Sequence, residues 1–235
     1  MPSIMPQCAA LPPVTLVLGG ARSGKSRHAE RLIETAAVAG TYCATAEPKD
    51  AEMAARIAAH RARRGPFWRT IEAPLALAPI IASETAPDRP LLIDCLTLWL
   101  SNLLLAGKSI EDETATLEAA LRGAAGPLVL VANEVGLGLV PETPLGRRFR
   151  DAAGRLNQDV AAVADRVVFV AAGLPLVLKE APQNPSPPFR GEREGPAPKA
   201  WEGEVGVGER PGIPHLTPAL SAPRGGEGEP RRHRR

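Results

Sequence analysis

The feature that most constrains this chain is a glycine-rich turn between a strand-like run and a helix-like run. The apolar run VTLVLGG leads into the octapeptide GGARSGKS at residues 19–26, which fits G-x-x-x-x-G-K-[ST] through Gly19, Gly24, Lys25 and Ser26. Such glycines let backbone N–H groups surround phosphate oxygens, and the following helix adds the positive end of its dipole. The pattern therefore predicts a nucleotide-binding P-loop, with Lys25 on the β- and γ-phosphates and Ser26 on Mg²⁺.

The rest of the body repeats the alternation of strand and helix. Further strand-like runs fall at residues 41–46, 91–96, 127–133 and 166–173, with a short sixth at 176–179. Helix-like stretches fall at residues 26–39, 49–64, 98–106, 110–122 and 144–164. This alternation is typical of α/β proteins, so we predict a mostly parallel sheet flanked by helices.

Composition changes near residue 180. Residues 181–235 contain 11 Pro and 9 Gly, and their large apolar side chains are isolated from one another. A segment of this kind cannot bury enough apolar surface to offset the cost of ordering its backbone. We therefore predict an irregular leader at residues 1–13, a P-loop domain at residues 14–180 and a disordered Pro/Gly-rich tail at residues 181–235.

Charge and composition exclude several classes of function. A net charge of +2 and an aromatic content of 3% favour neither nucleic acid nor a membrane surface as partner. No apolar run approaches the ~18 residues that span a bilayer, and the N-terminus lacks the basic region of a signal peptide. Cys8, Cys43 and Cys95 form neither a CxxC pair nor a disulfide framework. These features predict a cytoplasmic protein with no membrane span and no nucleic-acid partner.

Polar residues follow two of the predicted strands. Asp94 ends the run LLID, and Asn133 and Glu134 end the run that starts at residue 127. In parallel sheets the carboxyl ends of the strands face the ligand. Asp94 is therefore a candidate Mg²⁺ ligand, with capping of the next helix as the alternative reading of the same residue.

A histidine lies in the helix-like stretch between residues 49 and 64. Glu52, Arg56 and His60 are spaced by four and share one helical stripe, next to an apolar edge. Three arginines suited to a polyphosphate follow directly: Arg61, Arg63 and Arg64. A neutral imidazole beside bound phosphates can act as base or nucleophile, whereas a lone histidine is commonly structural. From the residues alone, both readings of His60 stay open.

Four blocks in this order suggest a family. They are GGARSGKSRHAE, YCATAEPKDAEMAARIAAHRARRGPFWRTIE, LLIDCLTLWLSNLL and VANEVGLGLVPETPLGRRFRDAAGRLNQ. Together they resemble the bifunctional adenosylcobinamide kinase/adenosylcobinamide-phosphate guanylyltransferases of cobalamin biosynthesis. The similarity extends over residues 14–179, and its second block is far more specific than the P-loop.

The resemblance implies a RecA-like P-loop fold, a homotrimer and two reactions. The first phosphorylates adenosylcobinamide with ATP or GTP. The second transfers GMP from GTP through a GMP-histidine intermediate to adenosylcobinamide phosphate, with Mg²⁺ as cofactor. The catalytic residues of the family correspond to His60 and Lys25. Its nucleotide contacts correspond to Gly19, Gly20, Ala21, Arg22, Ser23, Gly24, Lys25, Ser26, Ala44, Thr45, Ala46, Arg61, Ala62, Arg63, Arg64, Glu72 and Asp94.

Two other functions fit the residues without the resemblance. One is a P-loop kinase with a single activity on another small alcohol, in which His60 is structural. The other is a nucleotide-dependent binding switch whose partner contacts the arginine-rich helix. Incubation with α-³²P-GTP distinguishes these functions from the bifunctional enzyme, because only the bifunctional enzyme is expected to acquire a covalent, acid-labile label.

Overall fold

The computed structural model describes residues 11–48, 50–62 and 64–180, which form a seven-stranded sheet with helices on both faces. The strands are β1 (Val14–Gly19), β2 (Gly40–Ala44), β3 (Trp68–Glu72), β4 (Leu91–Asp94), β5 (Leu128–Asn133), β6 (Arg166–Ala171) and β7 (Leu174–Glu180). The helices are α1 (Lys25–Ala36), α2 (Ala51–Ala62), α3 (Leu77–Glu84), α4 (Leu96–Leu105), α5 (Ile110–Arg122) and α6 (Pro144–Val163).

The sheet has the order β3-β2-β4-β5-β1-β6-β7, in which only β7 runs antiparallel to its neighbour. The pairing register places Gly19 opposite Asn133 and Ala44 opposite Asp94. These four residues therefore end their strands at one edge of the sheet, called here the carboxyl edge. The predicted mostly parallel α/β fold is confirmed, and β5 lies between the P-loop strand and the strand that ends in Asp94.

The central strands are apolar on both faces because helices cover both sides of the sheet. In β1, Leu16 and Leu18 face a core built with α3 to α6, whereas Val17 faces a second core built with α1. All six residues of β1 are buried. This explains why β1 reads as a continuous apolar run rather than an alternating one.

Two elements are absent from the sequence prediction. Strand β3 was missed because it is an edge strand with one buried residue, so its sequence WRTIE has no apolar run. Helix α3 was missed because it is short and contains Pro79, which the structure accommodates in the first helical turn. The sixth predicted strand, at residues 176–179, is real but longer, extending over the whole of β7.

Both ends of the chain lie outside the described residues. The predicted tail, residues 181–235, lies outside the described residues, as do residues 1–10 of the predicted leader. The division into leader, domain and tail therefore stays a prediction. Within the described residues, every helix is too short or too polar to cross a membrane.

Candidate active site

The P-loop connects β1 to α1 in a conformation that suits phosphate binding. Gly24 caps α1 with a left-handed backbone, at a φ of 96°. The first residue of the helix is Lys25, whose side chain curves back so that Nζ donates a hydrogen bond to the carbonyl of Gly20 at 3.1 Å. Lys25 is only 9% exposed. The ammonium group is thus held at the loop, where a phosphate would accept its hydrogen bonds.

The turn between β6 and β7 holds the P-loop from one side. The backbone N–H of Gly173 donates to the carbonyl of Ser23 at 2.8 Å. Ala172 and Gly173 have φ values of 51° and 80°, which is typical of a tight hairpin turn. A side chain at Gly19 would come within 2.5 Å of the Val170 carbonyl oxygen. The first glycine of the motif is therefore required for packing against β6.

One cavity of about 160 Å³ opens beside the P-loop at the carboxyl edge. Seven predicted site residues line it: Lys25, Ser26, Ala44, Ala46, His60, Arg64 and Asp94. They come from the P-loop, the end of β2 and the loop after it, helix α2 and the loop after it, and the end of β4. The structure thus brings together residues that are up to 69 positions apart in the sequence.

His60 reaches the cavity because α2 presents its apolar edge there. Asp50 starts the helix, since its Oδ1 accepts a hydrogen bond from the backbone N–H of Met53 at 2.7 Å. Met53, Ile57 and His60 all line the cavity, one helical turn apart. The histidine therefore lies at the C-terminal end of an apolar stripe that lines the cavity, while Glu52 is exposed.

Tyr42 links the two sides of the cavity and was not predicted from the sequence. Its hydroxyl donates to Asp94 Oδ2 at 2.8 Å. The guanidinium carbon of Arg64 lies 3.5 Å from the centre of its ring. Burial, followed by the negative charge of Asp94, raises the pKa of Tyr42 well above its usual range, so the hydroxyl remains a donor. A usable signal was present, because Tyr42 shares a face of β2 with the predicted residue Ala44.

Arg64 is fixed by three contacts just after the end of α2. Besides stacking on Tyr42, its Nε donates to the carbonyl of His60 at 3.3 Å and its Nη1 donates to Thr70 Oγ1 at 2.9 Å. The arginine therefore connects the backbone of the histidine helix to strands β2 and β3. A planar, permanently charged guanidinium can make all three contacts at once.

The alternative reading of Asp94 as a helix cap is wrong. Cys95 occupies the N-cap position of α4, and no side chain caps that helix. The Asp94 carboxylate instead faces the cavity. Cys95 also lines the cavity, but burial raises the pKa of its thiol to about 11, so it is protonated at neutral pH.

Thr45 performs a structural task at the same edge. Its hydroxyl accepts from the Cys95 N–H at 2.8 Å and donates to the Cys95 carbonyl at 2.7 Å. Its own carbonyl accepts from Asn102 Nδ2 at 2.8 Å. The buried Thr45 thus fixes the turn that follows Asp94, and it is not among the residues that line the cavity.

Several predicted contacts lie away from the cavity. Arg61 Nη2 and Glu72 Oε1 form an ion pair at 2.8 Å, and each side chain is 60% exposed. Ala62 is exposed at the end of α2, and Arg63 lies outside the described residues. In the P-loop, Ala21 and Arg22 are exposed, whereas Ser23 is buried. The structure therefore does not bring Arg61 or Glu72 to the cavity wall.

The oxygen donors at the cavity fit a magnesium ion. The Ser26 hydroxyl and the Asp94 carboxylate both line it, and Mg²⁺ prefers one or two protein oxygens with phosphates and waters completing its shell. Across residues 11–48, 50–62 and 64–180, no three His, Cys, Asp or Glu side chains cluster as a dedicated metal cage. Such a site suits an ion that arrives with a nucleotide.

The chain overlaps in part with several solved structures. Among solved structures, the chain overlaps flagellar accessory protein FlaH from Methanocaldococcus jannaschii with a TM-score of 0.41 and 12% identity, covering 74% of this chain and 81% of that one. It overlaps the RadB recombinase with a TM-score of 0.38 and 12% identity, covering 68% and 76%. These overlaps are partial, and the fold assignment depends on the sheet order itself.

Sequence relatives are much closer. The bifunctional adenosylcobalamin biosynthesis protein CobP of Pseudomonas aeruginosa is 52% identical over 169 residues, covering 71% of this chain and 98% of the relative. The corresponding CobU protein of Salmonella typhimurium is 45% identical over 179 residues, covering 70% and 98%. A family model described as cobinamide kinase / cobinamide phosphate guanyltransferase matches residues 15–178, from β1 to β7. The chain therefore belongs to the cobinamide kinase / cobinamide phosphate guanyltransferase family.

Proposed function

We propose that this chain phosphorylates adenosylcobinamide with ATP or GTP and then transfers GMP from GTP to the product through an adduct on His60. The observation that carries the proposal is that His60 and the phosphate-binding Lys25 line one cavity. A nucleotide anchored at the P-loop would place its phosphates beside an imidazole. An ordinary kinase has no need of that arrangement.

The kinase step uses the P-loop. The hydroxyl oxygen of the aminopropanol group forms a bond to the γ-phosphorus, and the bond to the β–γ bridging oxygen breaks. The nucleoside diphosphate leaves, and the hydroxyl proton passes to solvent. Lys25 and the loop N–H groups position the phosphates and neutralise their charge. Ser26 and Asp94 would hold Mg²⁺, which when bound neutralises further phosphate charge.

The guanylyl step uses His60. A neutral ring nitrogen attacks the α-phosphorus of GTP, the bond to pyrophosphate breaks, and GMP is held by a phosphorus–nitrogen bond. A phosphate oxygen of adenosylcobinamide phosphate then attacks the same phosphorus, which releases the histidine and gives adenosylcobinamide-GDP. We propose His60 for this task because, among the described residues that line the cavity, it carries the one imidazole.

The remaining nucleotide contacts are proposed in two groups. The residues that line the cavity, with the backbone of the P-loop, contact the phosphates directly. Arg61 and Glu72 pair with each other at 60% exposure, and we propose that they contact the nucleotide after this pair opens. An exposed ion pair contributes about 0–1 kcal/mol, so its opening costs little.

Labelling with α-³²P-GTP tests the proposal. The wild-type protein is expected to retain a label that survives denaturation and is labile to acid, and mapping of the labelled peptide should assign it to His60. In His60→Ala the label should disappear, while phosphorylation of cobinamide persists. His28→Ala is the matched control, since this histidine lies in α1 next to the P-loop. A label that persists in His60→Ala would reject the assignment.

We also propose the homotrimer and the cytoplasmic location that the sequence predicts. The trimer is supported by β7, an edge strand whose seven residues are all exposed although Leu174, Leu176 and Leu178 are apolar. Natural proteins seldom leave such an edge uncovered. The cytoplasm is proposed because ATP and GTP are available there. Sedimentation equilibrium measures the mass of the assembly directly.

A further inference from the structure

The cavity is too small to enclose the proposed corrinoid substrate. Pockets for drug-sized ligands have volumes of about 300–1,000 Å³, and a corrin macrocycle is larger than such ligands. The cavity beside the P-loop measures about 160 Å³. If the proposed function holds, the macrocycle must therefore bind to the protein surface, with only its reacting arm inside the cavity.

Exposed apolar side chains lie in the segment between β5 and α6, a few residues after Asn133, which lines the cavity. Leu137 is 81% exposed, Leu139 is 96% exposed and Val140 is 63% exposed. The segment that carries them, residues 137–140, is called here the 137–140 loop. Asn133 lines the cavity and precedes Leu137 by four residues, which span at most about 14 Å. The loop therefore starts at most about 14 Å from a residue of the cavity wall, a distance comparable to the width of a corrin macrocycle with its side chains.

Other exposed apolar side chains are placed differently. Among the described residues, Val38 follows α1 and Leu105 ends α4. Val38 lies at the opposite edge of the sheet, where it lines a pocket with Pro90 and Pro127, the residues just before β4 and β5. Leu105 is a single exposed side chain two helical turns beyond Leu98, which lines the cavity. The exposed leucines of β7 follow the outer strand of the sheet. The 137–140 loop is thus the large apolar surface that continues from the β5 side of the cavity.

The loop is anchored at both ends. The backbone N–H of Glu134 donates to the Gly19 carbonyl at 3.1 Å, and Glu134 Oε1 accepts from the Gly136 N–H at 2.8 Å. Beyond the loop, Arg147 Nη1 donates to the Glu142 carbonyl at 2.7 Å. These bonds attach the loop to the P-loop on one side and to α6 on the other. Apolar side chains on an anchored loop require little ordering when a ligand covers them.

We propose that the 137–140 loop is the docking surface for the corrin macrocycle. Leu137, Leu139 and Val140 pack against an apolar part of the macrocycle, and the aminopropanol arm extends past Asn133 toward Lys25. This inference depends on the proposed function, because it names where that function's large substrate binds. One docking surface beside the P-loop serves both the phosphorylation of the arm and its later guanylylation.

The test compares loop variants with a control at the opposite edge. Leu137→Asp and Leu139→Asp are made separately, and Val38→Asp is the control because Val38 is 95% exposed. The KM for cobinamide is measured in the kinase reaction, and GMP-adduct formation is measured without corrinoid. The loop variants should raise the KM for cobinamide at least tenfold, since a charge replaces buried apolar contact. The KM for ATP and the rate of adduct formation should match the wild type.

Three results would overturn the inference. The first is a wild-type KM for cobinamide in both loop variants. The second is a loss of adduct formation, which would place the loop at the nucleotide. The third is a lower sedimentation coefficient than the wild type and the Val38→Asp control, which would assign the surface to contact between copies of the chain. A wild-type protein that does not phosphorylate cobinamide would instead reject the proposed function, and this inference with it.

Discussion

Lys25 is a charged residue with 9% of its surface exposed, and that burial is tolerable because its ammonium group is hydrogen-bonded to the loop. The P-loop residues, Asp94 and His60 were all identified from the sequence as candidate site residues. Each stands in a local pattern with a physical meaning, such as a strand end or a glycine turn. The structure adds that Lys25, Ser26, His60 and Asp94 line one cavity, which no local pattern can establish.

Replacement of Lys25 by alanine should impair both proposed reactions together. The lysine neutralises phosphate charge in phosphoryl transfer and in guanylyl transfer, and a hydrogen bond to a charged group contributes about 1.5–3 kcal/mol. We expect kcat/KM for ATP in the kinase reaction, and for GTP in adduct formation, to fall at least tenfold. Circular dichroism should stay native, because the ammonium group faces the site. A variant that forms the GMP adduct at the wild-type rate would show that the two reactions do not share this lysine.

At the scale of elements, the site depends on how α2 is held against the sheet. Arg64 connects the carbonyl of His60 to the Tyr42 ring and to Thr70 of β3. Tyr42 in turn binds Asp94 at the end of β4. The histidine and the proposed magnesium ligand are therefore positioned by one chain of contacts. Strand β3 lacks an apolar run because it is an edge strand with one buried residue. As an edge strand it can offer Thr70 to Arg64, which follows α2.

Two substitutions of Tyr42 separate its contacts. Tyr42→Phe keeps the ring under Arg64 and removes the hydrogen bond to Asp94. The rate of adduct formation should stay within about threefold of wild type, while the free energy of unfolding should fall by about 1 kcal/mol. Tyr42→Leu also removes the cation–π contact, which contributes about 0.5–2 kcal/mol, and frees Arg64 from the ring. We expect adduct formation to fall at least tenfold in Tyr42→Leu, measured as the initial rate of labelling beside a urea unfolding curve.

Arg64→Lys is the matched variant for the other partner. Lysine keeps the charge but has no planar group. It therefore cannot stack on the Tyr42 ring while it donates to the His60 carbonyl and the Thr70 hydroxyl. The labelling rate should fall in Arg64→Lys as it does in Tyr42→Leu. If both variants label His60 at the wild-type rate, the contacts between Arg64 and Tyr42 are only structural.

At the scale of the whole molecule, the family match ends near the end of the sheet. Residues 15–178 match the family, while residues 181–235 follow the last strand and carry none of the predicted site residues. The two bifunctional relatives are matched over 98% of their own length by 71% and 70% of this chain. The domain is therefore sufficient in length for the family's activities.

Removal of residues 181–235 should leave the domain intact. Their composition provides no apolar core, so their loss removes little buried surface. We expect the midpoint of thermal unfolding, cobinamide phosphorylation and GMP labelling to equal those of the full chain within error. Limited proteolysis of the full chain should cut first within these residues. A tail that resists protease, or a large loss of either activity on truncation, would contradict the predicted disorder.

The sequence by itself determined the P-loop, the alternation of strands and helices, and the family. These are encoded locally, by glycines at a turn, by apolar runs in doubly covered strands, and by motif blocks that keep their order. Only the tertiary structure decided that His60 faces the cavity, that Tyr42 joins Asp94 to Arg64, and that Arg61 and Glu72 pair outside it. The reason is physical: side chains separated by up to 69 residues meet only after strand order and helix rotation are fixed, and packing across the whole sheet sets both.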